Sequence, residues 1–177
     1  MNRSGSDILA RAARVRVPLG FVFGVLAVWL ARPTVRSLAV GSIIACVGEA
    51  LRIWAAGHIN KSREVTASGP YRWFAHPLYV GSSVMGLGLV AASNSLIVGG
   101  LVALYLGVTI TIAVKAEEAF LRKRFGDDYA RYRRGTGSKA DRSTSRRFDP
   151  AQVLANREYR AVVGLVLVLT ALLLKLL

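Results

Sequence analysis

Residues 78–114 form a run of thirty-seven positions without one charged side chain. A helix rises about 1.5 Å per residue and the hydrocarbon core of a bilayer is roughly 30 Å thick, so the run is too long for one crossing and just enough for two short ones. Its only polar break is Ser93-Asn94-Ser95, which predicts a tight hairpin of two membrane helices turning at Asn94. The rest of the chain follows suit. Most charges gather in 1–16, 58–76 and 115–160, whereas a soluble helical protein would interleave them with helical period. A hydrophobic share of 53% beside 19% charged residues is high for a soluble domain of 177 residues.

Three further apolar stretches complete the pattern. Val17 to Ala31 is short and has to borrow length from its flanks. Arg11, Arg14 and Arg16 precede it as they would a signal peptide, but no small-x-small cleavage site follows cleanly, and Arg32, Pro33 and another apolar stretch come next, so a retained helix is expected. Ser37 to Gly57 is apolar except for Glu49 and Arg52, which are three apart and share a helix face. Such a pair is costly in a membrane unless it faces protein or water. A ligand-binding role and a buried structural pair both remain open for it. Ala161 to Leu177 ends beside Lys175, whose stem can snorkel toward headgroups. The expected fold is all-α: one membrane-embedded domain over 1–177 with about five transmembrane helices. Gly81, Gly86, Gly88, Gly99, Gly100 and Gly107 line the hairpin, as close helix packing in lipid requires. The Gly86-Leu87-Gly88 step has a second reading, as room for a cofactor.

Lys and Arg set the orientation. Segment 115–160 holds thirteen, 1–16 four and 58–76 three, against Arg32, Arg36 and Lys175 for the other side, so the N-terminus and both polar segments are expected in the cytoplasm and the C-terminus outside. The net charge of +14 lies beside membrane helices and matches no nucleic-acid motif, so anionic lipid headgroups are the expected partner rather than nucleic acid. With Cys46 the sole cysteine, neither a disulfide framework nor a zinc cage is expected, and no metal site is assigned.

The cytoplasmic segments hold the groups with chemistry. Gly69-Pro70-Tyr71-Arg72-Trp73-Phe74-Ala75-His76-Pro77 leads directly into the hairpin. Pro77 suits the first turn of a helix, where its missing donor costs nothing. That places His76 at the helix start, with Tyr71, Trp73 and Tyr79 at headgroup level. His76 there reads either as a binding residue facing an anionic group or as a helix cap. Beyond the hairpin come Lys115, Glu117 and Glu118, then Leu121, Phe125, Tyr129 and Tyr132 at helical spacing, with Gly126 as a candidate kink. Glu117 and Glu118 are adjacent and point about 100° apart, so one is expected to face the site and the other to pair with Lys115, Arg122 or a neighbouring loop. Carboxylates suit a cation, while an imidazole and Arg147 suit an anion. S-adenosylmethionine carries both kinds of charge, and so does a zwitterionic lipid headgroup.

Two ordered signatures bear on that choice. Gly69-Pro70-Tyr71 with His76-Pro77-Leu78-Tyr79-Val80-Gly81, and Glu117-Glu118 with Leu121, Phe125-Gly126-Asp127-Asp128-Tyr129, Tyr132 and Arg147-Phe148-Asp149-Pro150, resemble the isoprenylcysteine carboxyl methyltransferase and phospholipid methyltransferase superfamily. The resemblance covers roughly 48–150, beginning at Gly48-Glu49-Ala50-Leu51-Arg52. It implies a membrane-embedded, S-adenosylmethionine-dependent methyltransferase that binds its cofactor on the cytosolic side and admits a lipophilic substrate from the bilayer. By that resemblance His76, Pro77, Tyr79, Gly81, Glu117, Glu118 and Tyr129 are cofactor-binding, and His76, Glu118 and Arg147 are the expected catalytic set. Glu49, Arg52, Arg72 and Trp73 are the substrate-binding candidates. Two features depart from the pattern. Ala75 stands where the family usually has arginine, with Arg72 a nearby cation that can substitute. A polar insert, Gly135 to Ser145, lengthens the approach to Arg147.

The implied reaction is direct displacement at a methyl carbon, in which the protein aligns its reactants away from water. A carboxylate, such as an isoprenylcysteine or fatty acid, needs no base, which makes carboxyl O-methylation the first expectation. N-methylation of a lipid amine is the alternative and needs His76 or a glutamate to take a proton. A non-catalytic lipid-binding scaffold shares the helices and basic loops.

Overall fold

The computed structural model describes residues 20, 22–59, 68–133 and 147–177, with the backbone alone for 124–133. The elements are α1 (22–30), α2 (Val35–Ala56), a 3-10 turn (Gly69–Arg72), α3 (Pro77–Ser93), α4 (Leu96–Arg133), α5 (Pro150–Ala155) and α6 (Tyr159–Leu176). The described residues contain no strand. Among the described residues three helices are long and apolar enough to cross a membrane: α2, the Leu96–Lys123 part of α4, and α6. α3 is apolar but, at 17 residues, shorter, and the described part of α1 is shorter still. The protein is therefore an all-helical, polytopic membrane protein. Val17 to Leu19, Phe21 and the insert 135–145 lie outside the described residues.

Local chemistry explains where the helices stop. At the start of α2, Ser37 N donates to Thr34 Oγ1 at 3.1 Å and Thr34 N to Ser37 Oγ at 2.9 Å, so each residue satisfies a backbone donor that the helix leaves over. α3 ends on Asn94 in the left-handed conformation (φ 50°, ψ 41°), which the short polar side chain of asparagine tolerates. α4 begins two residues later, so the hairpin turns where its polar break lies. Downstream, α4 continues as helix through Gly126, the candidate kink.

α2 and α3 form an antiparallel pair joined along small residues. A Cβ placed on Gly48 would meet Gly81 O at 2.7 Å, and one on Gly88 would meet Ala45 Cα and Gly41 O, each at 2.7 Å. In lipid no hydrophobic force drives helices together, so this backbone approach supplies the packing. The remaining hairpin glycines differ. Gly86 faces Leu106 and Val102 of α4 and Gly99 faces Val90, but Gly100 and Gly107 have open space beside them. The expectation that all six serve close packing therefore holds only where α3 meets a neighbour. Gly88 and Gly86 both meet helix atoms, which is the packing use of that step.

Two ends of the bundle are distinguishable by their hydrogen bonds. At one, Arg32 N donates to Ser93 O at 2.7 Å and Asn94 Nδ2 to Arg32 O at 3.2 Å, tying the α1–α2 link to the hairpin turn. Lys175, expected to reach for headgroups, instead donates from Nζ to Val28 O at 2.9 Å and to Trp29 O, carbonyls of the last turn of α1. At the other end, Asn156 Nδ2 donates to Ala56 O at 2.9 Å and Ile59 O at 3.2 Å, and Asp149 N to Gly57 O at 3.1 Å. These bonds dock the segment from Arg147 to Glu158 on the last turn of α2. The second end also carries the start of α3.

Candidate functional site

Pro77 opens α3, and His76 is its N-cap residue. The imidazole makes no hydrogen bond to the helix backbone, so it is not the side-chain cap that sequence left open. It turns to α4 instead. Nδ1 lies 3.4 Å from Glu117 Oε2, and Nε2 lies 3.7 Å from Glu118 Oε1. The first is an ion pair within hydrogen-bonding reach, and the second is an ion pair too long to be a hydrogen bond. Arg122 Nη2 approaches Glu118 Oε2 at 3.8 Å from the solvent side. The ring of Tyr79 completes the group, its centroid 5.8 Å from that of His76.

Glu118 thus meets Arg122, one of the partners expected for the second glutamate, while both carboxylates also reach His76. Adjacent side chains do splay by about 100°, but an imidazole presents its nitrogens in opposed directions, so two splayed carboxylates close on its two edges. The contact with Glu117 holds the His76 pKa above its ordinary value, against the opposing effect of burial, and the charge of Glu118 adds to the rise. As arranged, a single ion would not touch all three side chains. Among the described residues no cluster of three His, Cys, Asp or Glu side chains is placed to hold a metal ion.

Glu49 and Arg52 have a different role. Arg52 Nε lies 3.4 Å from Glu49 Oε2, Nη2 donates to Glu158 Oε2 at 2.7 Å, and Nη1 donates to Ser82 Oγ. All three guanidinium nitrogens face protein, which is the geometry of the buried structural pair, enlarged by Ser82 of α3 and by Glu158 at the start of α6. Glu158 was not anticipated. Its signal was available, since it is the only carboxylate between Pro150 and Leu177.

The other expected site residues divide. Pro77 is buried, and Gly81 is buried against Gly48 and Arg52 in the α2–α3 seam. Arg72, Phe74 and Ala75 are exposed, and Trp73 is 67% exposed beside Trp54, with centroids 5.7 Å apart. Arg147 is exposed at the head of the docked segment, where the next residue, Phe148, packs on Gly57 and lies 6.0 Å from the ring of His58. The side chain of Tyr129 lies outside the described set. His58 was missed, and Phe148 was read only as part of the second signature. His58 is buried, with Nδ1 2.9 Å from Trp54 O, and together they fix where Arg147 emerges.

Comparison with known proteins adds the following. A family model described as phospholipid methyltransferase matches residues 16–128, a span that includes His76, Glu117 and Glu118. The chain is similar to the nickel-cobalt-cadmium resistance protein NccN of Alcaligenes xylosoxydans xylosoxydans, at 33% identity over 107 residues, covering 58% of this chain and 49% of that protein. It is also similar to the cobalt-zinc-cadmium resistance protein CzcN of Cupriavidus metallidurans, at 35% identity over 99 residues, covering 55% of this chain and 44% of that protein. The matches thus span about half the length of these relatives. No solved structure matches the chain.

Proposed function

Because this chain belongs to the phospholipid methyltransferase family, we propose that it is an S-adenosylmethionine-dependent methyltransferase whose acceptor is the amine of a lipid. The observation that carries this reading is the meeting of His76, Glu117 and Glu118 where two apolar helices end. The donor set fits the cofactor. Glu117 and Glu118 are partly open carboxylates suited to its ammonium and sulfonium groups, and Arg147 is an exposed cation on the same end of the bundle, suited to its carboxylate. When bound, S-adenosylmethionine supplies an electrophilic methyl group.

The protein's own part is alignment and proton handling. A lipid amine is cationic at neutral pH and is drawn to the two carboxylates, whereas a carboxylate substrate is repelled by them. That electrostatic preference, with the family description, favours the amine over the carboxyl acceptor that base-free chemistry first suggested. The amine has to lose a proton before it can attack. In this reading His76 takes it, and the glutamates stabilise the imidazolium that results. Trp73 and Arg72, exposed a few residues before His76 in the chain, would meet the headgroup. The acceptor's tail would lie along the apolar helices, entering from the bilayer. We further propose five spans, with this end of the bundle in the cytoplasm, on the Lys and Arg asymmetry. The names of the two relatives concern metal resistance.

The test is methyl transfer from labelled S-adenosylmethionine to amine and carboxylate lipids of graded chain length in nanodiscs, expressed per membrane concentration. Each buried methylene contributes about 0.8 kcal/mol, so four more would raise kcat/KM by roughly two orders of magnitude if the tail is recognised. Transfer to carboxylates alone would overturn the amine assignment. A flat chain-length series would remove recognition of the tail.

A further inference from the structure

A neutral imidazole donates from one nitrogen only and offers a lone pair at the other. His76 has a carboxylate at each, Glu117 at 3.4 Å and Glu118 at 3.7 Å, so a neutral ring would turn its lone pair toward an anionic oxygen. The imidazolium, which donates from both edges, is the form this pocket matches. Arg122 is a weak rival for the site, being 68% exposed and 3.8 Å from Glu118 alone. Among the described residues, Tyr79, on α3 itself, also faces the ring.

We propose that the His76 imidazolium occupies, in the ligand-free protein, the place between Glu117 and Glu118 that an organic cation of a ligand takes in the complex. Binding then expels a proton. The N–H bond at His76 breaks, the proton passes to solvent, and the carboxylates exchange one cation for another, so the charge between them is unchanged. The step leaves His76 neutral and able to act as the base. This rests on the reading of the site as one for cationic ligands, and the cation is an ammonium or a sulfonium.

Calorimetry on the full chain in uncharged maltoside micelles tests it, using buffers of different ionisation heat to count protons. The probes are S-adenosylmethionine, S-adenosylhomocysteine, which keeps the ammonium but lacks the sulfonium, and a short-chain phosphatidylethanolamine. The expected result is release of up to one proton per ligand, with affinity rising about tenfold per pH unit between about pH 5.5 and 7, where carboxylates stay ionised and histidine titrates. In His76→Gln both effects vanish. Release with S-adenosylmethionine alone assigns the displacing cation to the sulfonium, release with both nucleosides to the ammonium, and release with the lipid alone to the acceptor amine. S-adenosylmethionine binding with no proton release, or with release unchanged in His76→Gln, overturns the exchange and leaves the cofactor assignment standing. Binding of none of the probes overturns both.

Discussion

Of the chain's two histidines, His76 sits between carboxylates. Since its folded pKa is raised, the protonated form is favoured by folding. Its contribution to stability is full below the unfolded value, about 6.5, and is lost as pH rises through the folded value. The difference in Tm between the wild type and His76→Gln should therefore shrink as pH rises above about 6.5, and Glu117→Gln should flatten it. Thermal unfolding in detergent reads both, and a difference independent of pH would discard the assignment. Arg52 supports a second test. Arg52→Ala leaves Glu49 and Glu158 without their partner, at a cost of about 3 kcal/mol or more, and adding Glu49→Gln should recover part of the loss, because the uncompensated charge causes most of it. A double variant no more stable than the single one would contradict that account. From sequence, the pair Glu49–Arg52 was legible as spacing on one face. Glu158, more than a hundred positions away, was not, because no periodicity links separate helices.

Among the elements, the α2–α3 seam and the outer face of α4 make opposite demands on glycine. At Gly88 an added methyl group meets backbone at 2.7 Å, so Gly88→Ala should destabilise by about 1–3 kcal/mol, since backbone cannot move aside as a side-chain tip can. At Gly107 the space is open, and Gly107→Ala should be neutral or stabilise by about 0.5–1 kcal/mol through helix propensity. Unfolding of both variants in the same detergent provides the comparison. Equal effects would mean that the two helices do not approach along Gly41, Ala45 and Gly48. Sequence identified the glycines but not which of them face a helix, because a uniformly apolar membrane helix has no polar face to mark its outside.

For the whole molecule, the consequence of the antiparallel order is a division of its loops between two faces. Cysteines placed at Trp73 and Phe148, with Cys46 replaced, should react with an impermeant reagent from the same side of the membrane, and one at Asn94 from the other. Labelling of Trp73 and Phe148 from opposite sides would dismantle the shared site. The docked segment from Arg147 to Glu158 joins the two halves of this arrangement. It is held to the end of α2 by Asn156 and Asp149, and to its interior by the Arg52–Glu158 ion pair.

The sequence alone determined the membrane environment, the helical class and the hairpin at Asn94, since these follow from uncharged run length against bilayer thickness and from a single polar break. It also singled out His76, Glu117 and Glu118 by residue type and place relative to the apolar runs. Only the tertiary structure decided that both glutamates close on one imidazole, that Arg52 is spent within the bundle, and that Lys175 caps α1 instead of reaching for lipid. Those outcomes depend on how helices rotate and cross. In a bilayer that is set by steric fit of small residues and by which buried polar groups find partners, and neither leaves a repeating signal along the chain.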